Sequence, residues 1–343
     1  MKRIVLFALA LLSLSGKGAA QGIDLLSSPT DPAYISDFSD QLTVRTFLSR
    51  KIIGYQVGKQ GEQHEAEYSP NDLTSVGVGF SYKFLSLNAN FNIPALNNDD
   101  EKYGKTKSLD LATYFYLRKF TVDAFVQIYK GHFLSENDIL SNKPANRPYL
   151  IRPDLQTQFY GVNVQYIFNH SKFSYRAAFL QNEWQRKSAG SFLAGINLHH
   201  IRVKADSFII PDQVYDPTFG KQPELFRQTA MYSVGVDGGY AHTFVLKEHF
   251  FTTIALMAGV GGNRTNLSNP DIGLDMSGFG LHLNGTLRLA AGYNSEKWFL
   301  GAYYVNFLNR NYAPIDDDAI WQQAANGLYR LVFAHRFAFR QGN

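Results

Sequence analysis

The amino-acid sequence predicts an all-β protein, a transmembrane antiparallel up-and-down β-barrel of about 12 to 14 strands. Three observations predict it. An export signal opens the chain, no later apolar run is long enough for a membrane helix, and hydrophobicity is confined to every second residue in many segments of about ten.

The signal comes first. Lys2 and Arg3 precede an apolar stretch over residues 4–14, and the small residues Gly18, Ala19 and Ala20 follow, which is the three-part layout of a secretory leader. Cleavage is expected near Ala20, so that residues 1–20 are a signal peptide, 21–41 a periplasmic N-terminal segment and 42–340 an outer-membrane barrel. The chain has no cysteine, which excludes a lipid-anchored start and a disulfide scaffold. Its formal charge is +4, but without Lys2, Arg3 and Lys17 there remain 30 basic against 29 acidic residues, so nucleic acid is excluded as a partner on charge.

Apolar residues make up 45% of the chain. With no membrane helix available, a closed sheet is the remaining way to cross a bilayer with every backbone polar group paired. Strand candidates begin near residues 42, 73, 85, 107, 119, 156, 172, 191, 230, 250, 278, 297 and 326. The longest alternation spans residues 278–291, where Phe279, Leu281, Leu283, Leu287 and Leu289 share one face and Gly280, His282, Asn284, Thr286 and Arg288 the other. In the segment from 85, Leu87, Ala89 and Phe91 oppose Ser86, Asn88 and Asn90. In the segment from 156, Tyr160, Val162 and Val164 oppose Gly161, Asn163 and Gln165.

Short connectors near Lys83, Arg118, Asn169, Lys247 and Ser295 alternate with longer polar loops, as expected of barrels with short periplasmic turns and long extracellular loops. The alternation fails once, between residues 204 and 227. Either a further strand lies at 207–210, giving fourteen, or one of the thirteen is not a strand, giving twelve. The last segment carries Tyr329, Leu331, Phe333, Phe337 and Phe339 on one side and resembles the terminal strand by which barrel-assembly machinery recognises its clients. Expected partners are therefore that machinery during biogenesis, together with outer-membrane lipid and lipopolysaccharide.

Four stretches resemble an uncharacterised family of outer-membrane barrels of Gram-negative bacteria, known only as a domain of unknown function. They are residues 34–51 (YISDFSDQLTVRTFLSRK), 104–111 (GKTKSLDL), 173–193 (FSYRAAFLQNEWQRKSAGSFL) and 204–211 (KADSFIIP). The resemblance implies a barrel, export and a place in the outer membrane. It brings no substrate, reaction or catalytic residue.

The expected inward set mixes signs: Asp110, Asp123 and Asp237 with Arg176, Arg288, Arg330 and Arg336. Charges inside a barrel are costly unless paired or hydrated, so these residues are expected to form an internal network that stiffens and partly closes the lumen. A porin-like passage for small polar solutes is the alternative, although a selectivity filter normally lines up one sign of charge. Glu183, Trp184, Arg186 and Lys187 lie at an expected strand end and connector, where they either dock a ligand or stabilise a packed loop. A third possibility, lipid modification by a serine and histidine on the outer face, is not supported by spacing: His242 and His335 have no serine two residues away on their own face. Adjacent His199 and His200 point to opposite faces and make a poor metal pair. No catalytic residue, metal site or cofactor is assigned.

Overall fold

The computed structural model describes residues 28–338 apart from 61–64, 72–73, 83–84, 94–95, 136–148, 211–225 and 316–317. The leader read at residues 1–20, Phe339 and the end of the barrel at 340 lie outside the described residues.

Alternation becomes a ladder in twelve long strands: β2 (Leu42–Lys59), β4 (Thr74–Tyr82), β5 (Leu85–Asn92), β6 (Lys107–Tyr116), β7 (Phe120–Leu134), β8 (Ile151–Ile167), β10 (Ala189–Lys204), β11 (Gln228–Leu246), β12 (Phe250–Asn269), β13 (Leu274–Asn294), β14 (Trp298–Ile315) and β15 (Asp318–Phe337). Three short strands join them, β1 (Ile35–Asp37), β3 (Glu65–Ser69) and β9 (Glu183–Gln185), with two helical turns, α1 (Asp100–Tyr103) and α2 (Tyr175–Phe179). The order β15–β14–β13–β12–β11–β10–β8–β7–β3–β2 returns to β15, so ten strands close an antiparallel barrel. Three strands lie off this ring: β4 on β2, β5 on β4 and β6 on β7. β3 bridges the resulting gap at one end only, pairing Tyr68 with Tyr55 on β2 and with Leu134 on β7.

Side chains sort by parity. On β13, Phe279, Leu281, Leu283 and Leu289 are exposed, whereas His282, Thr286 and Arg288 are buried. The outer face of β11 and β12 is likewise apolar and open, through Val234, Val236, Ile254 and Leu256, the last 62% exposed. A sheet that shows its apolar residues to the outside and buries histidine and arginine within is the reverse of a soluble protein. Aromatic residues near strand ends divide the same way: Tyr82 and Trp298 are exposed on the outer face, but Tyr55 and Tyr129 fill the interior.

Twelve of the thirteen expected segments match these long strands. The expectation of a strand from about 172 is corrected: residues 168–188, between β8 and β10, hold α2 and β9 and turn into the barrel. The alternative at 207–210 is also corrected, since no strand forms there among the described residues. The apolar spacing of Phe173, Tyr175 and Phe179 comes from burial on every side, because each residue from Phe173 to Gln185 is buried. A segment packed all round carries no dependable period.

Candidate functional site: the plugged lumen

The inward turn at 168–188 builds a plug at the end of the barrel that carries the short turns. Ser174 caps α2, its hydroxyl accepting from the Ala177 amide at 3.0 Å. Gln181 follows at φ 58°, a left-handed position that ends the helix. A buried helix end needs partners for its free carbonyls. Here the wall supplies them. Arg45 of β2 donates to the Leu180 carbonyl at 2.9 Å and to Gln181 Oε1 at 3.0 Å. Arg336 of β15 donates to the Gln181 carbonyl at 2.8 Å, the Glu183 carbonyl at 3.1 Å and Asn294 Oδ1 at 2.8 Å.

Glu183 is the charged centre of the plug and is fully buried. It pairs with Arg118, from the β6–β7 turn, and with Arg176 of α2 at 3.0 Å, and it accepts the Ser174 hydroxyl. Three side chains therefore share one carboxylate, as a buried ion requires. The N-terminal segment adds a strand: β1 pairs with β9, Ile35 opposite Gln185 and Asp37 opposite Glu183. Trp184 ties the plug to the β11–β12 turn, donating from Nε1 to the Glu248 carbonyl at 2.8 Å and stacking on His249 at 4.9 Å. Phe173, Tyr175, Ala178, Phe179 and Leu180 then form an apolar cluster with Phe47, Leu193, Phe251, Phe299 and Val332 of the wall. Each large side chain so buried contributes roughly 1.5–3 kcal/mol.

The seven expected lumen charges do not form one network. Asp123 and Arg288 meet across the interior, both wholly buried, and Arg288 also donates to the Tyr116 hydroxyl at 2.8 Å. Asp110 is held by Lys51 and Tyr129 and accepts from Gln127 at 3.2 Å, with no arginine on it. Asp237 accepts from Asn197 at 3.1 Å. Arg330 stacks over Phe47 at 4.1 Å. Arg176 belongs to the plug, on a helix where a strand was expected, and Arg336 reaches the plug from β15.

The docking role expected of Glu183, Trp184, Arg186 and Lys187 is corrected for the first two. Glu183 and Trp184 are buried within the plug and already engaged. Arg186 pairs with Glu248 at 3.4 Å, and Lys187 lies over the Tyr34 ring at 5.7 Å.

Periodicity put His282, Gly161 and Asn163 on the polar faces but joined them into no site. His282 lies between Asn311 at 2.9 Å and Asn197 at 3.2 Å, and His199 meets Asn163 at 3.0 Å. Gly161 lies opposite His199. A Cβ there would stand 2.2 Å from the Phe125 ring, so only glycine admits that ring. Beyond this layer a second apolar cluster closes the loop-bearing end. Ile209 and Phe226, both fully buried, descend onto Tyr68, Leu134, Leu155 and Val203. The Tyr68 hydroxyl donates to the Ile209 carbonyl. On the outer face His242 and His335 stand among aromatic rings, Phe244 at 4.3 Å and Trp298 at 4.1 Å.

Solved structures similar to this chain share little sequence with it. The translocator domain of the autotransporter NalP from Neisseria meningitidis is 9% identical over 98% of each chain, with a TM-score of 0.32. The outer membrane protein OprG from Pseudomonas aeruginosa is 10% identical over 89% of this chain and 99% of its own, with a TM-score of 0.27. The toluene transporter TodX of Pseudomonas putida is 8% identical over 92% of this chain and 100% of its own, with a TM-score of 0.25. No curated protein matches the chain. The family model of the domain of unknown function DUF4421 matches residues 29–337, and the chain belongs to that family.

Proposed function

We propose that this chain is an integral outer-membrane barrel of the Gram-negative envelope with a closed lumen, exported by a cleaved signal peptide and serving as a structural or interaction barrel. The observation that carries the closed reading is the plug: residues 173–185 are buried without exception, at a turn end where a passage would need an opening. The Asp123–Arg288 pair and the apolar cluster around Ile209 and Phe226 add two further obstructions along the axis.

Twelve strands cross the bilayer in this reading: β2, β4 to β8 and β10 to β15, with β5 beside β6. An even count returns both chain ends to one side, and the short turns then face the periplasm. The shortest of the twelve, β5, has eight residues, close to the nine to eleven a tilted membrane strand needs. Lipid and lipopolysaccharide contact the apolar belt, and the assembly machinery handles the aromatic last strand.

Planar-bilayer recording on the purified protein tests the closed reading. Near-silence is expected from the wild type, with steady conductance after deletion of residues 173–186. Steady wild-type conductance would overturn the closed reading in favour of small-solute passage, which the open inner faces of β5 and β6 favour.

A further inference from the structure

The gap beside the closed ring holds a polar chamber apart from the plug and from the Asp123–Arg288 pair. It has a volume of about 210 Å³ and is lined by Ser49, Lys51, Ser75, Asn90, Asp110 and Arg330 among others. That is roughly the space of seven water molecules, small for a drug-sized ligand but sufficient for one small metabolite. Its roof, at the loop end, is the β3–β4 connector: the Asn71 amide donates to Thr106 at 2.8 Å, and Asn71 Nδ2 donates to Asp99 at 3.0 Å. Its side is open. Among the described residues no ladder joins β5 to β6, and Asn88, Asn90 and Ser108, which parity turns inward, are exposed there.

Two charged groups in this chamber keep unused hydrogen-bonding capacity. Arg330 forms no hydrogen bond or ion pair among the described residues, and its Nε is buried without a partner. Its guanidinium carbon lies 4.1 Å from the centre of the Phe47 ring and 5.8 Å from that of Tyr303. Asp110 spends Oδ2 on Lys51, Tyr129 and Gln127 and leaves Oδ1 buried and unpaired. The arginine as a whole is half-buried, and a planar guanidinium is matched by a carboxylate that takes two of its N–H groups. An unpaired carboxylate oxygen nearby accepts a hydroxyl. Serine hydroxyls and the Asn90 amide complete a surface that suits a polyhydroxylated molecule.

We infer that the chamber binds a small hydroxylated carboxylate of the sugar-acid class, with Arg330 holding the carboxylate and Asp110 accepting a hydroxyl. The site lies off the barrel axis, so it does not depend on whether the lumen conducts.

Titration calorimetry on the detergent-solubilised full chain, with D-glucuronate and D-glucose as probes, tests it. Glucuronate is expected to bind saturably and glucose at least ~10-fold more weakly, because glucose lacks the group that Arg330 pairs. Arg330→Gln should weaken glucuronate about 10- to 100-fold while heat-modifiable migration on a gel shows the variant folded. Arg264→Gln on the outer face should change nothing. Should Arg330→Gln not fold, Asn90→Trp at the lip of the chamber must abolish binding. Absence of glucuronate binding by the folded wild type overturns the inference, as does binding indifferent to Arg330→Gln or Asn90→Trp.

Discussion

The wall from β8 round to β15 and the wall from β4 to β6 have the same alternating sequence but fare differently. In the first, the inward polar residues Asn163, Asn197, His282, Arg288 and Asn311 are all buried. In the second, Asn90 and Ser108 stay exposed on a face that parity assigns to the interior. The difference lies in partners. The first set finds neighbours across the lumen, Arg288 on Asp123 and His282 on Asn197, whereas no ladder draws β5 onto β6. Alternation decides which way a side chain points; a hydrogen-bonded partner decides whether it is taken out of water.

The largest effects are expected where a partner is removed from the sealed half. Glu183→Gln leaves Arg118 and Arg176 without a counter-charge and should cost roughly 3–5 kcal/mol in denaturant unfolding, with bilayer conductance rising as the plug loosens. Arg288→Met should cost a similar ~3–5 kcal/mol by orphaning Asp123, and the double variant with Asp123→Leu should recover most of it. A double variant no more stable than Arg288→Met would show that the pair is not the element being broken. On the outer face, Leu256→Arg should cost about 2–4 kcal/mol in bilayers if that residue lies near mid-membrane, against little for Asn90→Arg on the open side. Equal costs would erase the contrast between the walls. The smallest perturbation is single-cysteine labelling, clean because the chain has no cysteine of its own. A water-soluble maleimide should modify Asn90→Cys and Ser108→Cys on the order of 10²-fold faster than Asn197→Cys or Thr286→Cys.

Sequence periodicity revealed the wall well, because a closed sheet with an apolar outer face and a polar inner face imposes period two on every strand. It named Asp123 and Arg288, whose charges stood out on inward positions of β7 and β13. The plug was misread for a physical reason: Phe173 to Gln185 are buried on all sides, so their spacing reflects packing on several elements. A local signal was nonetheless present. Ser174 followed by the helix-favouring run Tyr175–Phe179 is a capped helical turn in the middle of what looked like a strand. Nothing in the pattern marked Arg118 or Arg45 as plug residues, since their partners lie 65 and 135 positions away. Nor could parity distinguish Arg330, which stacks on Phe47, from Arg288, which is paired.

Arg45 and Arg336 stand on the two strands that meet where the cylinder shuts, β2 and β15, with Thr43 opposite Arg336 and Arg45 opposite Ala334. Both reach the same short stretch, Leu180 to Glu183, which comes from the middle of the chain. The plug is thus a clasp across the joint between the first and last barrel strands, holding together segments nearly three hundred residues apart in sequence. It can seat fully only once that joint has formed, and the joint is hard to peel open while it is seated. Closure of the cylinder and seating of the plug thus draw on the same contacts.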